Sequence, residues 1–171
     1  IMESKDLVNW KYCCNPLESI EGSDAFSLLN GQWRYSRGQW ATALQHKDGT
    51  FYMLFTTLDE GGYLLTANDI RGPWKKRKLE GGFYDGGLLF DGDNTYIAYG
   101  INNIRIARVD ENFKRIEDRE VAKYSVKSGL EGSRLYKIGE YYYIYATYGG
   151  VPAYQTVFRS KNVFGPYEEK F

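Results

Sequence analysis

Two acids, Asp85 and Glu131, stand at matching places in two copies of one local pattern, and Ala41 holds that place in a third copy. If the pattern brings the copies around a common axis, the two carboxylates approach one cavity. A pair of carboxylates facing one cavity is the basic equipment for glycoside hydrolysis, where one protonates the leaving oxygen while another acts across the sugar ring. The competing reading is a pair of ordinary acids, solvated or paired with Arg134 or Lys137.

The pattern itself is a hairpin. Trp40-Ala41-Thr42-Ala43-Leu44 leads to Phe51-Tyr52-Met53-Leu54-Phe55; Tyr84-Asp85-Gly86-Gly87-Leu88 leads to Thr95-Tyr96-Ile97-Ala98-Tyr99; Glu131-Gly132-Ser133-Arg134-Leu135 leads to Tyr142-Tyr143-Ile144-Tyr145. Each apolar strand breaks at a Gly-containing turn, Lys47-Asp48-Gly49, Asp91-Gly92-Asp93-Asn94 or Ile138-Gly139-Glu140, before a ring-rich second strand. The interval from Leu to Tyr is eight residues in every copy (44 to 52, 88 to 96, 135 to 143), and successive copies lie 44 and 47 residues apart.

A second element recurs at the close of the units. Ser4-Lys5-Asp6-Leu7-Val8-Asn9-Trp10 matches Ala67-Asn68-Asp69-Ile70-Arg71-Gly72-Pro73-Trp74 and Ser160-Lys161-Asn162-Val163-Phe164-Gly165-Pro166-Tyr167, with Val109-Asp110-Glu111-Asn112-Phe113 in the place between. Strand-like runs precede the last three, and no stretch has convincing helical periodicity. All-β units of 40 to 50 residues read as propeller blades, whereas a β-sandwich needs no repeat. In a propeller the innermost strands line the central channel, which is what would bring Asp85 and Glu131 together. Counting back one period from Trp10 puts the start of the first blade before Ile1. The sequence therefore predicts, over residues 1–171, a partial propeller: the outer edge of one blade followed by about three blades, with the N-terminal part of that first blade and the last blade absent.

Composition removes several classes. Lys and Arg number 22 against 22 Asp and Glu, so a net charge of zero offers no footprint for nucleic acid or an anionic membrane. No apolar run approaches the ~20 residues that span a bilayer. With 43% hydrophobic residues, among them 16 Tyr, 9 Phe and 4 Trp, the chain is not of the disordered class. The two cysteines are the neighbours Cys13 and Cys14, too close for an unstrained mutual disulfide, and are read as reduced, partly buried thiols. With His46 as the single histidine and no zinc-like Cys spacing, no metal or other cofactor is expected. The charged runs Lys75-Lys76-Arg77-Lys78 and Glu117-Asp118-Arg119-Glu120 read as solvated turns between blades. Trp40, Phe83 and Tyr84 flank the channel positions and could stack on sugar faces, while most tyrosines would pack between blades. His46 reads equally as a channel residue or a core histidine.

Taken in order and spacing, these motifs resemble glycoside hydrolase family 43, five-bladed β-propeller enzymes that include β-xylosidases, α-L-arabinofuranosidases and arabinanases. Ser4 to Trp10 is similar to the family's S-x-D-L-x-N-W element. Gly38-Gln39-Trp40-Ala41-Thr42 resembles W-A-P, with Thr42 replacing the proline. Tyr84 to Asp91 resembles H-D-P-S-L-F-F-D, keeping the acid but not the His, Pro or Ser. Leu130 to Lys137 resembles E-G-P-H-L-Y-K, and Tyr148-Gly149-Gly150 and Arg159 to Tyr167 match the G-G and R-S-x-x-x-x-G-P-Y elements. The resemblance implies that Glu131 is the general acid and Asp85 the carboxylate that tunes its pKa and orients substrate. It implies inversion, with a third carboxylate as base in a segment upstream of Ser4, so that the base is missing from this sequence. It further implies a pentose-containing oligosaccharide or polysaccharide as substrate, with α-L-arabinofuranosyl or β-D-xylosyl linkages, Trp40 as a wall of the sugar pocket and Tyr84 lining it. The alternatives are a non-catalytic sugar-binding propeller, an inactive truncated product, or a scaffold for protein partners.

Overall fold

The computed structural model describes residues 1–20, 23–123, 129–149 and 153–170, and the regular elements among them are all β-strands. A short hairpin, β1 (Met2–Ser4) with β2 (Trp10–Tyr12), precedes three four-stranded antiparallel sheets. The first sheet is β3 (Ala43–Lys47), β4 (Thr50–Thr57), β5 (Gly61–Ala67) and β6 (Lys75–Lys78). The second is β7 (Gly87–Asp91), β8 (Asn94–Tyr99), β9 (Asn103–Val109) and β10 (Arg115–Lys123); the third is β11 (Leu130–Ile138), β12 (Tyr141–Tyr148), β13 (Tyr154–Ser160) and β14 (Glu168–Glu169). Strand order equals chain order within each sheet. The first strands lie side by side, β3 against β7 and β7 against β11, which makes the sheets blades around one axis: a partial β-propeller.

The eight-residue interval has a simple cause. In each copy the Leu pairs across the inner hairpin with an apolar residue of the second strand, Leu44 with Met53, Leu88 with Ile97 and Leu135 with Ile144. The hairpins close through two-residue turns in which Asp48 and Gly49, Gly92, and Gly139 hold positive φ. Middle strands are then buried on both faces, and their period-2 alternation divides them between two interblade cores. Leu54 and Leu64 face the second blade together with Phe83, Leu88 and Ile97, while Met53, Phe55, Tyr63 and Leu65 face the hairpin side with Ile1, Leu17 and Trp74. Tyr96, Ala98, Ile104 and Ile106 turn the other way, onto Leu130, Leu135, Ile144 and Ala146 of the third blade. Each fully buried aliphatic side chain contributes roughly 1.5–3 kcal/mol.

The blade-closing element is an Asx-type turn repeated around the ring. Asp6 accepts from Val8 N (2.9 Å) and Asn9 N (2.7 Å), and the Trp10 indole donates to Leu7 O at 3.2 Å. In the next blade Asp69 accepts from Arg71 N and the Trp74 indole donates to Ile70 O, and in the third Asn162 accepts from Phe164 N and the Tyr167 hydroxyl donates to Val163 O. Asp110 does the same for Asn112 N and Lys114 N without a ring. Such side chains compete with the sheet ladder for backbone donors, which is why the strands end there.

The two charged runs are not turns. Lys75–Lys78 is β6 and Glu117–Glu120 lies within β10, the outermost strands of their blades. An outer strand has one unpaired edge and one solvated face, and charge there blocks edge-to-edge pairing with other chains. The third sheet, like the other two, has four strands. Cys13 and Cys14 are free thiols of intermediate burial, as expected from their adjacency.

The backbones of neighbouring blades come close together at Gly87. A Cβ there would lie 2.5 Å from Ser133 O, 2.8 Å from Arg134 Cα and 3.0 Å from Leu135 N, all backbone or backbone-bound atoms of the neighbouring inner strand. Gly87→Ala is therefore expected to push β7 away from β11 and to lower stability by about 1–3 kcal/mol. Thermal unfolding measures it, with each kcal/mol moving Tm by about 2–4 °C in a chain of this size.

Candidate active site

Asp85 and Glu131 occupy the same end of adjacent inner strands. Asp85 stands two residues before β7, and Glu131 is the second residue of β11. The segment leading to Asp85 is held from below by Thr56 of β4, whose hydroxyl both donates to Phe83 O and accepts from Phe83 N, each at 3.0 Å. Arg115 of β10 adds a second hold, its guanidinium lying 4.2 Å from the Phe83 ring and donating to Gly82 O. Gly86 N closes a turn onto Phe83 O (3.0 Å), and Asp85 itself has φ 51°. That left-handed conformation is unusual for a residue other than Gly, and it turns the carboxylate back toward the axis.

A bulge does the corresponding work for Glu131. Between Glu131 (opposite Thr147) and Arg134 (opposite Tyr145) β11 carries one residue more than β12, with Gly132 at φ +69°. Bulges re-aim side chains next to functional sites. Here the bulge turns the Gly132 amide outward, and it donates to Asp85 Oδ2 at 3.2 Å. The backbone beside one acid thus holds the other.

Asp85 is 7% exposed, and its Oδ1 has no hydrogen-bond partner among the described residues. Burial pushes its pKa up, and the neighbouring Glu131 charge adds to the rise, while the Gly132 amide and the Arg134 guanidinium pull against it. Arg134 does not pair with either carboxylate; it donates to the backbone oxygens of Asp85 (3.3 Å) and Ser133 (2.8 Å). Lys137 is engaged elsewhere, with Asp91 at 2.8 and 3.0 Å, and this ion pair and the Tyr142 hydroxyl hold Asp91 below the usual carboxylate range. Neither Arg134 nor Lys137 therefore forms an ion pair with Asp85 or Glu131.

The rings divide. Trp40 is 37% exposed and its indole meets the Tyr84 ring with centroids 5.5 Å apart. The Tyr84 hydroxyl donates to Glu131 Oε2 at 3.0 Å. Phe83 does not join them. It is 1% exposed, edge-on to Tyr99 and beneath Arg115, so it is a core residue and cannot stack on a sugar. His46 is also placed elsewhere: it faces the β3–β4 turn, packed on Phe51 at 4.5 Å, about 16 Å along the strand from Ala41. Sequence adjacency misplaced Phe83, which lies in the turn before β7 where neighbouring side chains diverge; His46, read equally as a channel or a core residue, is exposed. Gly132 and Gly149 were not singled out for the site, although Gly directly after an acid in a strand pattern is a bulge signal. A Cβ at Gly149 would sit 2.9 Å from Glu131 Oε1, so Gly149 keeps that oxygen uncovered.

Among the described residues no cluster of three or more His, Cys, Asp or Glu could hold a metal ion. The acids of the first hairpin are already occupied. Asp6 is fully committed to its turn, with its pKa well below the usual range because of the Asn9, Val8 and Ser4 hydrogen bonds, and Glu3 pairs with Arg71 at 3.5 Å.

Comparison with known proteins identifies relatives of the whole chain. The chain is 31% identical over 195 residues to a beta-xylosidase of Bacillus subtilis, covering 98% of this chain and 35% of that protein. It is 31% identical over 185 residues to a non-reducing end alpha-L-arabinofuranosidase of Bacteroides ovatus, covering 98% and 33%. Among solved structures, a bifunctional GH43-CE protein of Bacteroides eggerthii superposes with a TM-score of 0.87 at 27% identity, covering 99% of this chain and 24% of that one. The chain thus spans about a third of the length of the curated relatives it matches. The family profile of glycosyl hydrolases family 43 matches residues 1–171, and the chain belongs to that family.

Proposed function

We propose that the protein containing this chain is a glycosidase that hydrolyses β-D-xylosyl or α-L-arabinofuranosyl linkages with inversion, on pentose-containing oligosaccharides or polysaccharides. The observation that carries the reading is the joint placement of Asp85 and Glu131 at the starts of neighbouring inner strands, linked through the Gly132 amide. Glu131 serves as the general acid, protonating the glycosidic oxygen as the bond breaks. Asp85 places a second, buried carboxyl beside it, held by the Gly132 amide. Trp40 forms an apolar wall on which a sugar face can stack. Inversion requires a base and a water on the opposite face of the sugar, with acid and base carboxyls ~6.5–9.5 Å apart.

The substrate names of the relatives, beta-xylosidase and alpha-L-arabinofuranosidase, support the sugar class. The test is to incubate the intact protein with aryl β-D-xyloside and aryl α-L-arabinofuranoside and follow the released sugar by proton NMR. First appearance of the inverted anomer is the expected result. Binding of xylose or arabinose by calorimetry with no turnover of either glycoside would instead favour a sugar-binding propeller.

A further inference from the structure

Glu131 has two carboxyl oxygens, and their surroundings differ. The Tyr84 hydroxyl donates to Oε2 at 3.0 Å, whereas Oε1 faces the bare backbone of Gly149 and has no hydrogen bond among the described residues. Tyr84 is itself fixed. Its carbonyl accepts from Gly100 N at 3.0 Å, its ring rests on Trp40, and the Phe83 beside it is pinned by Thr56. The phenol is hindered from ionising as well: burial, the bond to Glu131 and the charges of Asp85 and Glu131 push its pKa up to about 12. It is therefore a constant donor at any working pH.

From this geometry, and resting on the reading of Glu131 as general acid, we infer that Tyr84 is a positioning residue that assigns the two oxygens of Glu131 their roles, Oε2 as its acceptor and Oε1 as the atom that carries and delivers the proton. The chemistry follows directly. A carboxylic acid bears its proton on one oxygen, and a fixed donor occupying Oε2 leaves Oε1 to bear it. In the reaction the Oε1–H bond breaks, the proton passes to the glycosidic oxygen, and the resulting carboxylate charge is met by the hydroxyl already in place. A hydrogen bond to the charged form is stronger than one to the neutral form, so Tyr84 assists most as the proton leaves. The absence of a side chain at Gly149 gives Oε1 its open approach.

The variant Tyr84→Phe in the intact protein removes the hydroxyl and keeps the ring on Trp40. Its kcat on a xylooligosaccharide or alkyl xyloside, whose leaving group must be protonated, is expected to fall roughly 10- to 100-fold, the range for losing a hydrogen bond to a charged group. KM should stay within about threefold, because a wall that still stacks still binds. With a dinitrophenyl glycoside, whose leaving group departs without a proton, the loss should be nearly absent. Equal losses on both kinds of substrate, or a change confined to KM, would overturn the assignment and leave Tyr84 as a wall residue. The parent reading fails differently, through Glu131→Gln showing no dependence on the leaving group.

Discussion

Glu131→Gln in the intact protein is expected to reduce kcat on xylooligosaccharides about 10²- to 10⁴-fold, the contribution typical of a positioned general acid. Glutamine fills the same volume and can still accept from Tyr84, so the bulge and the Gly132–Asp85 hydrogen bond should survive. What disappears is the transferable proton. The loss must therefore scale with the basicity of the leaving group, being greatest for alkyl and sugar alkoxides and nearly absent for dinitrophenolate. A steady-state series of glycosides with leaving groups of graded pKa measures this as a slope. A variant with the same slope as the parent protein would show that Glu131 donates nothing, whatever its absolute rate.

Asp85→Asn carries the second large expectation, and two observables move in opposite directions. Activity should fall by a factor comparable with that of the Glu131 variant, because the carboxylate beside the general acid loses its charge and the Gly132 amide loses its anionic acceptor. Stability should rise. The folded-state pKa of Asp85 lies above the ordinary aspartate value of 3.8, with burial as the main cause. For a carboxyl shifted in that direction, its favourable contribution is complete below 3.8 and disappears as pH climbs through the raised folded value, so at neutral pH the buried charge opposes folding. An amide of the same shape has no charge to desolvate. The variant should melt about 2–4 °C above the parent protein at pH 7, the shift that about 1 kcal/mol produces in a domain of this size, and the gap should close as pH is lowered toward 4. Calorimetry at both pH values decides it; a destabilised variant at pH 7 would mean that Asp85 is held for the fold rather than for the site.

Much of the architecture is legible in one dimension because the hairpin imposes local rules of register. Leu88 must meet Ile97, and Leu135 must meet Ile144, once the turn has two residues and the side chains alternate. The Asx turn at Asp6, Asp69, Asp110 and Asn162 is legible for a similar reason, since every hydrogen bond in it spans four residues or fewer. The pair Asp85 and Glu131 can be located from the repeat to within one residue, three and four residues before Leu88 and Leu135, the extra residue being the bulge after Glu131.

The surroundings of the pair were not legible in this way. Phe83, Tyr84 and Asp85 are consecutive, and strict alternation would send Phe83 and Asp85 to the same side. The positive φ at Asp85 breaks that alternation, so Phe83 enters the core between blades while Tyr84 and Asp85 both reach the site. The run Lys75–Lys78 misleads for the converse reason: charge reports solvent, and an outer strand meets as much solvent as a turn.

The sequence by itself thus determined the inner hairpins, their register, the blade repeat and the two carboxylates, since each depends on spacing along the chain. Only the tertiary structure decided which rings face the channel, that the Gly132 amide ties Asp85 to the strand bearing Glu131, and which oxygen of Glu131 Tyr84 holds. Those relations join residues 47 positions apart on different blades, and their distances are set by how closely β7 and β11 approach at Gly87, a property of packing that no local pattern encodes.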